Sequence, residues 1–148
     1  MKANYTLVKM QSKEKADCSV LAAQFALNLS YERAYGLLEL AGRKPRQGVY
    51  GPTFEKLGLQ QRPDLSCMTV GRAMESMQSG RFVVFVSGHF FAVVDGRMFN
   101  NQFTKFESRV RMVYEVPLDS EDFQARYPHL AELVRIDKLP DMRGINCR

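Results

Sequence analysis

The chain has 148 residues, of which 45% are hydrophobic, and this is enough apolar material for the core of one ordinary globular domain. Its 21 basic and 16 acidic residues give a net charge of +5, a moderate value that argues against nucleic acid as the main partner. Three cysteines and two histidines form neither a disulfide framework nor a zinc pattern, so we expect a reducing compartment and no metal or cofactor.

Residues 1–10 lack the long apolar core of a signal peptide, and no stretch approaches the roughly 18 apolar residues of a membrane span, so we expect a cytoplasmic protein that does not enter the membrane.

The N-terminal third of the chain predicts two helices. Asp17 is a favourable N-cap, and residues 18–29 have the composition of a largely buried helix. Ser30 can cap a second helix over residues 31–41, which Gly42 ends.

The next stretch, residues 43–52, consists of turn formers and three positive charges, Arg43, Lys44 and Arg46. This composition predicts a loop. The loop is either a solvated connector or a surface that borders a cleft and binds an acidic partner.

The rest of the chain predicts a short helical turn at residues 53–57, a helix at 70–78 capped by Thr69, and a further helix that starts near Ser120. Apolar runs predict strands over residues 81–87, 90–94, 97–102 and 110–116, and residues 130–136 supply another short apolar face. We therefore expect an α+β fold, with the N-terminal helices packed on a four- or five-stranded antiparallel sheet, as a single domain over residues 1–148.

Cys18 is a candidate nucleophile because it lies in the first turn of the first predicted helix. Unpaired backbone N–H groups and the positive end of the helix dipole stabilise a thiolate there, and the thiolate is the reactive form of cysteine. The commoner role of a cysteine is that of a small core residue, so Cys18 alone does not establish catalysis.

His89 begins an apolar strand beside a glycine, and its partner follows from the hairpin register. If Asp95 and Gly96 form a two-residue turn, then Phe91 faces Asn100 and His89 faces Gln102 across the two strands. Asn100 is then diagonal to His89 on the same face, where its amide oxygen can accept the imidazole N–H and leave the other ring nitrogen for a thiol. The register thus selects Cys18, His89 and Asn100 as a catalytic triad.

The order of these residues resembles that of the papain-like cysteine peptidases, including the bacteriocin-processing and related bacterial and phage branches. In that superfamily a cysteine at a helix N-terminus, commonly after an aspartate, precedes a histidine on one strand and an asparagine or aspartate on the next. The resemblance covers residues 11–102 and implies a papain-like fold, a peptide or protein substrate and a glutamine that binds the oxyanion, which falls on Gln11. The chain departs from the pattern at Ser19, where glycine or alanine is common, and in its short Cys-to-His segment.

Two function classes stay open at this point. The first is a small thiol hydrolase, either a peptidase or an amidase, and the same triad also serves transglutaminase-like and acyltransferase enzymes because all of them form a thioester. The second is a catalytically inactive papain-like binding module that uses the basic loop on nucleic acid or on an acidic protein.

Overall fold

The computed structural model describes residues 6–102 and 104–131 of the chain. Its elements run in the order β1 Thr6–Lys9, α1 Cys18–Ala26, α2 Tyr31–Leu40, α3 Thr53–Lys56, β2 Gln60–Gln61, α4 Val70–Glu75, β3 Arg81–Val86, β4 His89–Val94, β5 Arg97–Asn100, β6 Met112–Glu115 and α5 Glu121–Arg126, with 3-10 turns at Pro63–Leu65 and Pro128–Ala131. Cys147 and most of the predicted apolar face at 130–136 lie outside the described residues.

The strands form one six-stranded mixed sheet in the order β1-β5-β4-β3-β6-β2. The α+β class is therefore confirmed, but the prediction of an antiparallel sheet with four or five strands is wrong. Strand β1 pairs with β5 in parallel, with Lys9 opposite Asn100, and the very short β2 pairs with β6. Neither extra strand belongs to a hairpin, so no local turn signal marks it in the sequence.

Helices cover both faces of the sheet. Residues of α1, α2, α3 and α5 pack against one face in a core that includes Val83, Phe90 and Ala92. Residues of α4 pack against the other face with Val84, Phe91 and Val93. Strands β3 and β4 are apolar along nearly their whole length because both of their faces are covered.

The predicted hairpin of β4 and β5 is confirmed in type and register. Asp95 and Gly96 have φ values of 48° and 78°, as the favoured two-residue hairpin turn requires. Val94 pairs with Arg97, and Val93 pairs with Met98. Strand β5 ends at Asn100, two residues earlier than predicted, so it gives the backbone of His89 and Phe90 no partner.

Candidate active site

A hydrogen bond between the side chains of His89 and Asn100 links strands β4 and β5 at the site. His89 Nε2 lies 2.6 Å from Asn100 Oδ1, and both side chains are buried, with 4% and 2% of their surface exposed. Register alternation places His89 on the same face as Phe91, whose ring centroid lies 6.4 Å from that of the imidazole. The juxtaposition predicted from the hairpin is present.

The surroundings of Asn100 fix its orientation. The backbone N–H of Gln102 donates to Asn100 Oδ1 at 3.3 Å, and Asn100 Nδ2 donates to Thr104 Oγ1 at 3.0 Å. A backbone N–H can only donate, so Oδ1 is the acceptor atom and His89 Nε2 carries the proton that it shares with Asn100. The role of Thr104 was missed, because nothing in the sequence marks a loop threonine beyond the strand end as a partner of Asn100.

The second ring nitrogen, His89 Nδ1, is the one left for proton transfer. It makes no hydrogen bond to any part of the chain that the structure describes. In the tautomer set by Asn100, Nδ1 carries a lone pair and can accept a proton. Burial lowers the pKa of His89, while the hydrogen bond to Asn100 raises it to a lesser degree, so the imidazole is neutral at pH 7.

Cys18 is the first residue of α1, and its half-buried side chain reaches the start of β4 from the opposite face of the sheet. The backbone N–H of Phe90 lies close enough to the sulfur to lower the pKa of the thiol. Strand β5 pairs with β4 only as far as Ala92, so β5 does not pair with Phe90, whose N–H approaches the Cys18 sulfur. Cys18 thus lies against the peptide that follows His89, although no hydrogen bond joins Cys18 to His89 within the described residues.

The expected thiolate is not the resting form of Cys18. Burial is the largest effect and raises the pKa of the thiol, and the charge of Asp17 raises it further. The N–H groups of Phe90, Ser19 and Cys18 itself lower the pKa without offsetting the burial. The helix N-terminus therefore acts in the predicted direction, but desolvation outweighs it, so Cys18 rests as a thiol and His89 as a neutral imidazole.

Asp17 does not cap α1 with its side chain, which corrects the prediction. Its Oδ2 instead accepts hydrogen bonds from the N–H groups of Lys13 and Glu14 and from the hydroxyl of Tyr31. The carboxylate is buried, and its Oδ1 has no hydrogen-bond partner in the part of the chain that the structure describes. Asp17 therefore orders the loop that leads into Cys18 rather than the helix that follows it.

Gln11 lies in a segment tied to the site on both sides, and its side chain is exposed. Met10 N–H donates to Asn100 O at 2.6 Å, and Asn101 Nδ2 donates to Ser12 Oγ at 2.7 Å. These bonds hold the backbone of Gln11 beside the end of β5. The structure brings Gln11 to the end of the sheet where His89 lies, and no hydrogen bond from residues 6–102 or 104–131 orients its amide.

Arg43 is not part of an exposed basic loop, which corrects the partner surface predicted at Arg43, Lys44 and Arg46. Its guanidinium is buried, donates to Glu14 Oε1 at 2.8 Å and to Ala16 O at 3.2 Å, and lies over the ring of Tyr35. Arg43 therefore braces the loop before Cys18. Lys44 and Arg46 are exposed, as expected.

Two surface cavities of about 660 and 580 Å³ lie away from this site. The larger is lined by Phe82 and Glu115, at the opposite end of β3 from His89, and the smaller by residues of α5 and the turn after it.

Within residues 6–102 and 104–131, no group of three or more histidine, cysteine or acidic residues could hold a metal ion. None of the helices described there has the length and apolar character needed to cross a membrane.

No family model, curated protein or solved structure matches this chain.

Proposed function

We propose that the protein is a cysteine-nucleophile hydrolase of papain-like type, a thiol peptidase or amidase that acts through a thioester acyl-enzyme. The observation that carries the proposal is the buried hydrogen bond between His89 and Asn100, which presents Nδ1 as a base. Cys18 supports it, because its sulfur lies against the peptide that follows His89. A histidine oriented by a third group next to a thiol is the arrangement that activates a nucleophile.

The first half-reaction forms the thioester. The Cys18 thiol gives its proton to His89 Nδ1 as the sulfur bonds to the acyl carbon, and the carbonyl oxygen takes up the displaced electron pair. When the tetrahedral intermediate collapses, the bond to the leaving amine breaks and the amine takes the proton from the imidazolium. Asn100 keeps Nε2–H in place throughout, so Nδ1 faces the reacting atoms in both proton transfers.

The second half-reaction returns the free thiol. Water attacks the thioester carbon and gives a proton to His89 Nδ1. When the tetrahedral intermediate collapses, the bond from carbon to the Cys18 sulfur breaks, the sulfur takes that proton, and the carboxylic acid is released. The Cys18 backbone N–H and the Gln11 side-chain amide are the donors that we assign to the oxyanion, and losing one such donor typically costs about 10²–10³ in rate. Substrate binding must orient the exposed Gln11 amide for this role.

We propose a peptide or protein as substrate, and the cytoplasm as compartment, since a nucleophilic thiol has to stay reduced. An acidic partner belongs to the same proposal, with Lys44 and Arg46 as the predicted cations that are exposed to meet it. The acyltransferase alternative uses the same thioester and differs only in that an amine replaces water.

A catalytically inactive binding module is the second candidate. The missing Cys18 to His89 hydrogen bond and the raised pKa of the thiol favour it, because a preformed ion pair would mark an active enzyme directly. Hydrogen bonds of catalytic groups often form only in the substrate complex, and for this reason we place the hydrolase first.

Acylation by p-nitrophenyl acetate separates these candidates. In a chain with Cys67→Ser and Cys147→Ser, the hydrolase gives a burst of p-nitrophenolate and an acetyl group on Cys18 that hydroxylamine removes. His89→Ala should abolish the burst. Acetylation of Cys18 no faster than that of free cysteine would establish the binding module instead. Methylamine is then added to the acetylated chain after the remaining ester has been removed, and release of N-methylacetamide faster than from a free acetylated cysteine would establish the acyltransferase.

A further inference from the structure

The loop before Cys18 and the loop after α2 form one surface, although they lie about thirty residues apart in sequence. Glu14 joins them: its Oε1 accepts from the Arg43 guanidinium at 2.8 Å and from the backbone N–H of Arg46 at 3.0 Å. Arg43 adds a second tie, to Ala16 O at 3.2 Å. Residues 14–16 and 43–46 are therefore held together beside the N-terminus of α1.

The charge left exposed on this joint surface is positive. Lys13, Lys15, Lys44 and Arg46 are exposed. The two acidic residues of the same stretches do not oppose them, because Glu14 is paired with the buried Arg43 and Asp17 is itself buried. The inward pairing of Arg43 with Glu14 thus leaves four exposed cations on the two joined loops, with the Lys13 ammonium 4.7 Å from the ring centroid of Tyr31.

Tyr50 adds an apolar contact to the same loop. Its side chain is 86% exposed, a high value for a large aromatic residue. Exposed tyrosines are common in protein–protein interfaces, where the ring gives contact area and the hydroxyl gives a hydrogen bond. The loop that carries Lys44 and Arg46 therefore also presents an exposed aromatic ring.

We infer that Lys13, Lys15, Lys44, Arg46 and Tyr50 form a docking surface for an acidic segment of a polypeptide substrate. The inference rests on the proposed function, because the surface serves to deliver an acyl group to Cys18. Four cations and an exposed tyrosine suit a short acidic peptide, and the moderate net charge of +5 argues against nucleic acid as the ligand. Negative charge on the substrate speeds its encounter with this surface, and salt weakens the attraction.

Binding to charged polymers tests the surface without any catalysis. In the Cys18→Ala chain we would measure fluorescence anisotropy with labelled poly-L-glutamate, and with labelled poly-L-lysine and polyuridylate for comparison. We expect poly-L-glutamate to bind best at low salt. Joint replacement by Lys13→Gln, Lys15→Gln, Lys44→Gln and Arg46→Gln should weaken this binding about tenfold or more.

A control chain with Arg72→Gln and Arg97→Gln loses two positive charges away from the surface and should keep the parent affinity. It is matched in charge to the two-residue variant that follows. A Lys44→Gln, Arg46→Gln chain tests half of the surface with less change to the fold and should show an intermediate loss. Unchanged affinity in the four-residue variant, or tighter binding to polyuridylate than to poly-L-glutamate, would overturn the inference. Acetylation of Cys18 is read separately, so a failure of the docking surface and a failure of the thiol chemistry are distinguishable.

Discussion

Asn100 accepts the Nε2–H of His89 at 2.6 Å and at the same time accepts the N–H of Gln102 and donates to Thr104, so its amide has no freedom to turn. This network sets the tautomer of the imidazole, because Asn100 Oδ1 accepts the hydrogen bond of Nε2–H. It leaves the lone pair of Nδ1 without a hydrogen-bond partner among the described residues, on a side chain that is buried. A histidine held in this way is suited to repeated proton transfer at one nitrogen.

Replacing Asn100 tests the tautomer argument. Asn100→Asp keeps an acceptor for Nε2–H and adds a negative charge, which should raise the pKa of His89 and move the acid limb of the Cys18 alkylation profile to higher pH. Asn100→Ala removes the acceptor and should lower the alkylation rate at pH 7 by about tenfold or more. Measurement with iodoacetamide across pH checks both, and an unshifted acid limb in Asn100→Asp would contradict the assignment.

Replacing Asp17 tests the electrostatics of the thiol. The carboxylate raises the pKa of Cys18, so Asp17→Asn should lower that pKa and shift the rise of the alkylation rate to lower pH. Tyr31→Phe is the matched control, because it removes a hydrogen-bond donor to Asp17 but keeps the charge. A shift of the same size in both variants would show that loop order, rather than charge, sets the reactivity.

Arg81 holds the C-terminal end of α1 and should be important for stability. Its buried guanidinium donates to Ala26 O at 2.7 Å and to Phe25 O at 2.9 Å, where the carbonyls of the last helical turn lack partners. Arg81→Met should therefore lower the free energy of unfolding by roughly 2–4 kcal/mol, measured with urea. Arg97→Met, on the neighbouring hairpin strand, should cost less than about 0.5 kcal/mol; equal losses would refute this role.

The buried imidazole predicts an acid-sensitive fold. Burial lowers the pKa of His89 in the folded chain, so between about pH 6.5 and that lowered value the unfolded chain binds a proton that the folded chain does not. Stability should therefore be fully present above about pH 6.5 and fall as the pH drops through the lowered pKa. Urea unfolding at several pH values should show this slope in the parent and a flatter one in His89→Gln; identical slopes would mean that other groups cause it.

The sequence was informative where contacts are short in range. The Asp95-Gly96 turn determines the register of β4 and β5, and the register brings His89 to Asn100, so this half of the site follows from counting. Ser30, Thr69 and Ser120 cap their helices because capping involves only the next few residues. Turns and caps of this kind determine the conformation of a few neighbouring residues without contacts from distant parts of the chain.

The errors concern contacts between distant parts of the chain. Arg43 reads as one of three loop cations, and only the fold shows that it turns inward to Glu14, whereas Asp17 reads as a cap and instead binds Tyr31. The balance between the helix N-terminus and burial at Cys18 also depends on what packs around the sulfur. Strand β1 has four residues and a parallel partner some ninety residues away, so no turn or alternation reveals it.

The most direct measurement is the pH dependence of Cys18 alkylation by iodoacetamide in the Cys67→Ser, Cys147→Ser chain, with and without His89→Ala. Because the pair is neutral at rest, His89 should act as the base that takes the thiol proton during attack. The parent should then react about tenfold or more faster than His89→Ala at pH 7, with an acid limb that His89→Ala removes. Equal rates in the two chains at every pH would contradict a nucleophile activated by His89.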